Sequence, residues 1–389
     1  MRTTRLKWPT STMKMRIPDL TSALNEPFAH HLHMYSLLER YSDDEDTSYK
    51  IRRSATKLLA ALIETRPELL VSFYKDVSPV LISRFGDREE TVKLEVWSTY
   101  GALLNQTRLY GGISQSNITD SPGIGGKRKR DDEMEVEDSP SQLLRNQVPM
   151  LAKSLLNQLR HPKSSTNVLQ AGFSLLNSLV GVLPGSLSSH VVPIISCANG
   201  VLSQSATTSN LTLHTTCLTF LVNLFSTHSP PTFTSALPTI VPSLQKALHE
   251  RHPRIISETF RVFSALLNAL KPLKQADWLD SVYEEAVGRL RSSDTDAEVR
   301  ARAEECIGDL WVCATDVVAT KDGREWEAMC RTTGRVEGAI RVITRVAREV
   351  DLGTATVNVS IEWLLGVFRK SGKAGKSDAF TCLDVLLRR

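Results

Sequence analysis

The sequence predicts an all-α protein, a right-handed α-α superhelix of stacked helical hairpins. One observation is an apolar stripe. Counting Ile51 as zero, Ala55, Leu58, Leu59, Leu62 and Ile63 follow at +4, +7, +8, +11 and +12, one face of a helix with a 3.6-residue period. A second is recurrence. The template begins again at Val92, Val168, Leu213, Ile255 and Val299, and more weakly at Ala339 and Gly375. From 51 to 92 is 41 residues, and from 168 onward the steps to 339 are 45, 42, 44 and 40. The step of 76 from Val92 to Val168 is one period plus an insertion. Repeats of the HEAT and armadillo classes have periods of ~40–47 residues, so seven or eight hairpins are expected.

The third observation is an earlier helix in each period, as at 68–85, 142–160 and 239–250. Prolines punctuate these first helices at Pro67, Pro79, Pro149, Pro193, Pro238 and Pro242. Pro67 suits a first turn, where its missing N–H costs nothing. Pro79 and Pro149 lie deeper and should kink their helices. A bent first helix beside a straighter second one favours HEAT over armadillo.

Charges recur with the stripe. Asp46 precedes Arg52 by six residues, Asp87 precedes Lys93 by six, and Asp294 precedes Arg300 by six. Each aspartate falls in the turn before a second helix, where it can cap that helix and favour its positive end. Stacking is expected to bring each aspartate near the base of the next repeat. These six residues read as a partial structural ladder, since three of the six strong repeats lack the pair.

Composition narrows the classes. The 47 bases against 43 acids in 389 residues are too balanced for a nucleic-acid binder. The six cysteines stand singly within apolar segments, as small hydrophobes of a reducing compartment would. No apolar run reaches the ~20 residues of a membrane span. No membrane or nucleic-acid partner is expected.

Two segments break the pattern. Residues 1–28 show no clear stripe and are expected to be disordered. Residues 108–140 are rich in Gly, Ser and Pro and read as a disordered charged loop between repeats at 29–107 and 141–389. Within it, Lys127, Arg128, Lys129 and Arg130 abut a run of acids. They form a candidate nuclear-import signal, or a solvated polyampholyte. The last helix, DAFTCLDVLLRR, carries no polar capping repeat, so the C-terminus looks truncated.

No catalytic, cofactor or metal site emerges. HHLH at 30–33 and HERH at 249–252 lack the spacing that puts two histidines and a base on one helix face. Trp97 and Trp311 lie on or beside the stripe and read as core. Bases are not interleaved with stacking aromatics.

Residues 42–108 resemble a particular family. The segments that carry this are Asp46–Arg53 (DTSYKIRR), Thr65–Leu70 (TRPELL), Val77–Phe85 (VSPVLISRF) and Arg88–Lys93 (REETVK). They resemble the HEAT-repeat cullin-associated, neddylation-dissociated proteins. NQVPMLAKSLLNQL at 146–159 and LVGVLPGSLSSHVVPII at 179–195 resemble later repeats of that family, and 237–258 and 280–310 do so too. Members are much longer, so the resemblance is to an internal portion. It implies a non-enzymatic scaffold that wraps an unmodified cullin and its RING subunit, blocks attachment of the ubiquitin-like modifier and exchanges substrate receptors. It also implies a second polypeptide supplying missing repeats, and a nuclear and cytoplasmic location. Contact residues are not assigned. Rival readings are a HEAT-type nuclear-transport carrier, a phosphatase-type scaffold, an enzyme, and an inactive fragment.

Overall fold

The computed structural model describes residues 48–111, 139–273, 276–315, 324–331 and 336–388. Every regular element among them is helical. The chain divides into two compact units, with the boundary between Ser154 and Leu155.

In the first unit, α1 (Ser48–Thr65) is a second helix of a repeat. The next first helix, α2 (67–83), changes character along its length. It opens as a 3-10 turn at Pro67–Leu69, passes through Leu70–Ser72, becomes π-helical at Phe73–Val77 and ends as Ser78–Ser83. Pro67 sits in the opening turn, as expected.

The π turn sits immediately before Pro79. In the π pattern Ser78 N–H donates to Phe73 O. The next such bond would come from residue 79 to Tyr74 O, but proline has no N–H. Gln147 Nε2, from the next first helix α4 (Pro140–Leu159), donates to Tyr74 O instead, at 2.8 Å. The side chain thus repairs the backbone bond that Pro79 removes.

Helix α3 (Glu90–Tyr110) packs along α1 and runs into the stretch expected to be a loop from 108. Residues 112–138, including Lys127 to Arg130, lie outside the described residues. So do 1–47, with Asp46 and the HHLH stretch. Helix α4 is continuous through Pro149, where the sequence suggested a kink; the unit boundary falls inside it.

The second unit repeats one motif. Helix α5 (Thr166–Val182) is followed by the hairpins α6–α7 (Val191–Leu202, Leu211–Thr227) and α8–α9 (Leu237–Leu248, Pro253–Leu270). Then come α10–α11 (Leu279–Arg291, Ala297–Cys313), α12–α13 (Arg324–Arg331, Val336–Glu349) and α14–α15 (Gly353–Lys370, Lys373–Leu387). Local signals set the ends. Ser165 Oγ caps α5 by accepting from Val168 N–H at 3.2 Å. Pro253 occupies the first turn of α9. Gly185 takes φ +74° in the turn between α5 and α6, a conformation open to glycine at little cost.

The second helices α5, α7, α9, α11, α13 and α15 stack in one row, each on the next. The first helices touch their neighbours more sparsely. Closer spacing of the second helices is the geometry of the inner layer of a curved stack. All seven expected second-helix stripes after Ile51 start two or three residues inside a helix. The α1 stripe is displaced. Its buried positions are Arg52, Thr56, Leu59 and Ile63, while Ile51 is 61% and Leu58 52% exposed.

Candidate partner-binding surface

The six ladder residues are arranged differently from the expectation. Arg52 Nε donates to Asp87 Oδ2 at 3.1 Å, and both side chains are almost fully buried. Arg52 Nη1 also donates to Ser48 Oγ at 2.6 Å. Asp87 therefore meets the base of the preceding repeat, not of the next one. The turn explains this. Asp87 Oδ1 also accepts from Glu89 N–H at 3.0 Å, which holds the carboxylate at the mouth of α3, beside the start of α1. Lys93 pairs with no aspartate among the described residues.

The third pair does not form. Asp294 accepts only from the neighbouring Ser293 Oγ, at 3.1 Å, and Arg300 Nη2 donates to Ser292 O at 2.6 Å. The cap of α11 is Asp296, whose Oδ1 accepts from Glu298 N–H at 2.8 Å. The segment SSDTDAE offers two aspartates two residues apart, and the one adjacent to the helix takes the role.

What sequence reasoning missed is a set of polar bonds that tie successive second helices. In the first unit Arg53 Nε approaches Glu95 Oε2 at 3.4 Å. In the second unit Asn223 Nδ2 donates to Asn177 Oδ1 at 2.7 Å, and Thr219 Oγ1 donates to Glu258 Oε2 at 3.3 Å. Asp309 joins three helices. It accepts from Asn268 Nδ2 of α9 at 2.9 Å and from Arg345 Nη2 of α13 at 2.8 Å, and it is 4% exposed. Burial alone would lower the Arg345 pKa, but Asp309, joined by Glu349 and Cys313, holds the guanidinium above its ordinary value. Gly308 permits the close approach, since a Cβ there would lie 2.9 Å from Val342 Cγ1. Spacings of 36 to 46 residues mark these pairs only once the helices are stacked.

Around Asp309 the second helices leave two open grooves. One of about 440 Å³ is lined by Arg261, Ser264, Asn268, Arg302, Glu305 and Arg345. The other, of about 330 Å³, includes Glu305, Gly308, Arg341 and Arg345. Most of these charges are already matched. Arg261 pairs with Glu258 at 2.9 Å and Arg302 with Glu305 at 2.7 Å. Such a zipped polar ridge suits a broad protein contact rather than an enclosed ligand.

Burial raises the thiol pKa of Cys217 and Cys306, and pushes Cys313 up to about 11, with Asp309 adding to the rise. No group of three metal-ligating side chains occurs among the described residues. His249 of the HERH stretch lies 3.4 Å from Glu285 Oε2, and His252 is the residue before α9. No helix among the described residues is long and apolar enough to cross a membrane.

Comparison with known proteins gives the chain its relatives. A family model described as CAND1-like, TPR repeats matches residues 185–307. Cullin-associated NEDD8-dissociated protein 1 of Drosophila melanogaster is 32% identical over 281 residues, covering 70% of this chain and 21% of that protein. Cullin-associated NEDD8-dissociated protein 2 of Mus musculus is 34% identical over 276 residues, covering 69% and 21%. A relative from Emericella nidulans, described as Cullin-associated NEDD8-dissociated protein 1, C-terminal part, is 26% identical over 360 residues, covering 79% and 34%. The matched stretch is thus about a fifth of the length of the fly and mouse relatives. Among solved structures, importin beta superposes with a TM-score of 0.64 at 14% identity, over 95% of this chain and 40% of that one; that likeness is one of fold. The helical repeats, their period and these sequence matches agree, and the chain is similar to a portion of the cullin-associated NEDD8-dissociated proteins.

Proposed function

We propose that the chain is a non-enzymatic scaffold that binds the unmodified core of a cullin–RING ubiquitin ligase and promotes exchange of its substrate receptors. The observation that carries this is the 32–34% identity over about 70% of the chain to proteins named for cullin association. The second-helix row of the second unit supports it, being a broad polar surface of largely paired charges. The work would be done by competing binding energies. Co-elution with a cullin–RING core tests the reading. Retention of the unmodified core, and not of the NEDD8-conjugated core, is the expected result. Failure to bind either form, alone or with polypeptides supplying the relatives' remaining repeats, would overturn it.

The same reading makes Arg52 and Asp87 structural, so Arg52→Ala is expected to lower stability and leave cullin binding intact in the folded protein. It also gives the protein a nuclear and cytoplasmic distribution, with Lys127, Arg128, Lys129 and Arg130 as the import signal. Replacing those four with alanine in a fluorescent fusion is expected to empty the nucleus. An unchanged distribution would leave the segment as a solvated polyampholyte.

A further inference from the structure

The second-helix row of the second unit changes chemistry along its length. Helices α5 and α7 contain no Lys, Arg, Asp or Glu. Their half-buried and exposed positions include Ser174, Asn177, Ser178, Thr216, Asn223 and Ser226. From α9 onward the row is charged. Helix α9 carries Glu258 and Arg261, and α11 carries Arg302, Glu305 and Asp309. On α13, Arg341, Arg345 and Arg348 stand four and then three residues apart, so they share one helix face, and all three are exposed.

The two grooves around Asp309 share Glu305 and Arg345, so they adjoin as one furrow. It runs from Val222 and Ser226 of α7 to Gly338 and Arg341 of α13. The acids along it are engaged. Asp309 accepts from Asn268 and Arg345, Glu305 from Arg302, and Glu258 from Arg261. Glu304 is buried, at 1% exposure. The bases are not all matched. Arg341 lines the furrow, is exposed, and pairs with no acid among the described residues. Arg302 Nε is buried without an acceptor among those residues, although Nη1 of the same side chain reaches Glu305.

This balance selects the partner's charge. A guanidinium is a planar fork of N–H donors, and a carboxylate fits it through two parallel bonds. A basic side chain entering the furrow would meet carboxylates already held by arginine or asparagine, and an unopposed Arg341. One exposed pair is worth little in water. Docking excludes water from the furrow, which strengthens a matched pair and makes a mismatched one costly.

We propose that the α9–α13 furrow is the docking surface for an acidic stretch of the protein partner, whose Asp or Glu carboxylates seat on Arg341 and Arg302. The uncharged α5–α7 half of the row takes a neutral polar stretch of the same partner, which fixes the direction in which the partner lies along the row. The proposal rests on the reading above for the identity of that partner, the unmodified cullin–RING core. It rests on the unmatched guanidinium for the place and the charge of the contact.

The test titrates the unmodified cullin–RING core with the 389-residue chain, together with polypeptides supplying the relatives' remaining repeats, at low and high salt. Arg341→Glu is expected to weaken the complex about tenfold or more, whereas Arg341→Lys, which keeps the charge, should retain most of the affinity. Added salt should weaken the unaltered complex more steeply than that of Arg341→Glu. Melting of both Arg341 variants should change little, because the side chain is exposed and unpaired among the described residues. Arg291→Glu reverses an exposed charge on the first helix α10, away from the furrow, and should leave the affinity unchanged. A complex indifferent to Arg341→Glu, tightened by it, or weakened equally by Arg291→Glu overturns the proposal and leaves the cullin reading standing. No complex with the unaltered chain overturns that reading and the proposal together.

Discussion

The joint between α1 and α3 and the joint between α5 and α7 solve the same packing problem with different chemistry. The first is held by a buried ion pair, Arg52 with Asp87, and by polar contacts behind it. Thr99 Oγ1 of α3 donates to Thr56 O of α1 at 3.3 Å. The second is held by the Phe173–Phe220 ring pair and an uncharged Asn223–Asn177 bond. Both bury second helices against each other, so the repeat frame does not dictate which forces close it. The charged joint carries specificity at a desolvation cost, whereas the aromatic joint is forgiving of register but intolerant of lost volume.

The largest expected effects break each joint. Arg52→Ala strands Asp87 in a buried site and should cost about 3–5 kcal/mol in urea unfolding. Phe173→Ala should cost a similar ~3–5 kcal/mol through lost contact and the cavity left behind. The double variant Arg52→Met with Asp87→Leu separates them, since an apolar replacement of the whole pair should recover most of the first loss. If the double variant is no better than Arg52→Ala, the ion pair is not what closes that joint.

Acid should part the two units next. The described residues of the first unit contain no histidine, while α7 carries His214 and the residue after it is His228. Burial lowers both pKa values. His228 Nε2 accepts from Leu187 N–H at 3.2 Å, a bond that needs the neutral ring. The unfolded chain takes up protons as pH falls through ~6.5, before the folded one does. Stability from these groups is therefore present above that pH and lost below it. Hydrogen exchange at pH 7.5 and 5.5 should show faster opening around α6 and α7 at the lower pH, with α1 and α3 little changed. His228→Gln should flatten the dependence.

The smallest effects concern the cap of α11. Asp296→Ala should cost about 1 kcal/mol, and the exposed Asp294→Ala less than about 0.5 kcal/mol. Equal losses would restore Asp294 to the capping role that the sequence suggested.

The contrast between these joints also marks what could be read from the chain. Second helices were legible because an apolar stripe of fixed period leaves the same trace wherever it occurs, and Val92, Val168, Leu213, Ile255 and Val299 all fall near helix starts. The same signal misjudged α1, because a buried arginine with a partner 35 residues away counts as polar in any stripe. Asp87 was identified as a turn residue, but the direction of its pairing needs the stacking order in space. The bonds of Asp309 were invisible for the same reason.

Pro79 has a consequence for assembly. A stack of similar hairpins invites mistakes, because each joint offers a neighbour much the same apolar surface. The carbonyl of Tyr74, left without its backbone donor, works as a lock with one key. A following helix with a hydrogen-bond donor at the register of Gln147 fills it, whereas an apolar side chain at that register would leave the carbonyl unsatisfied. A residue known for breaking helices here gives one repeat an address, so that order along the array is written partly in a missing hydrogen.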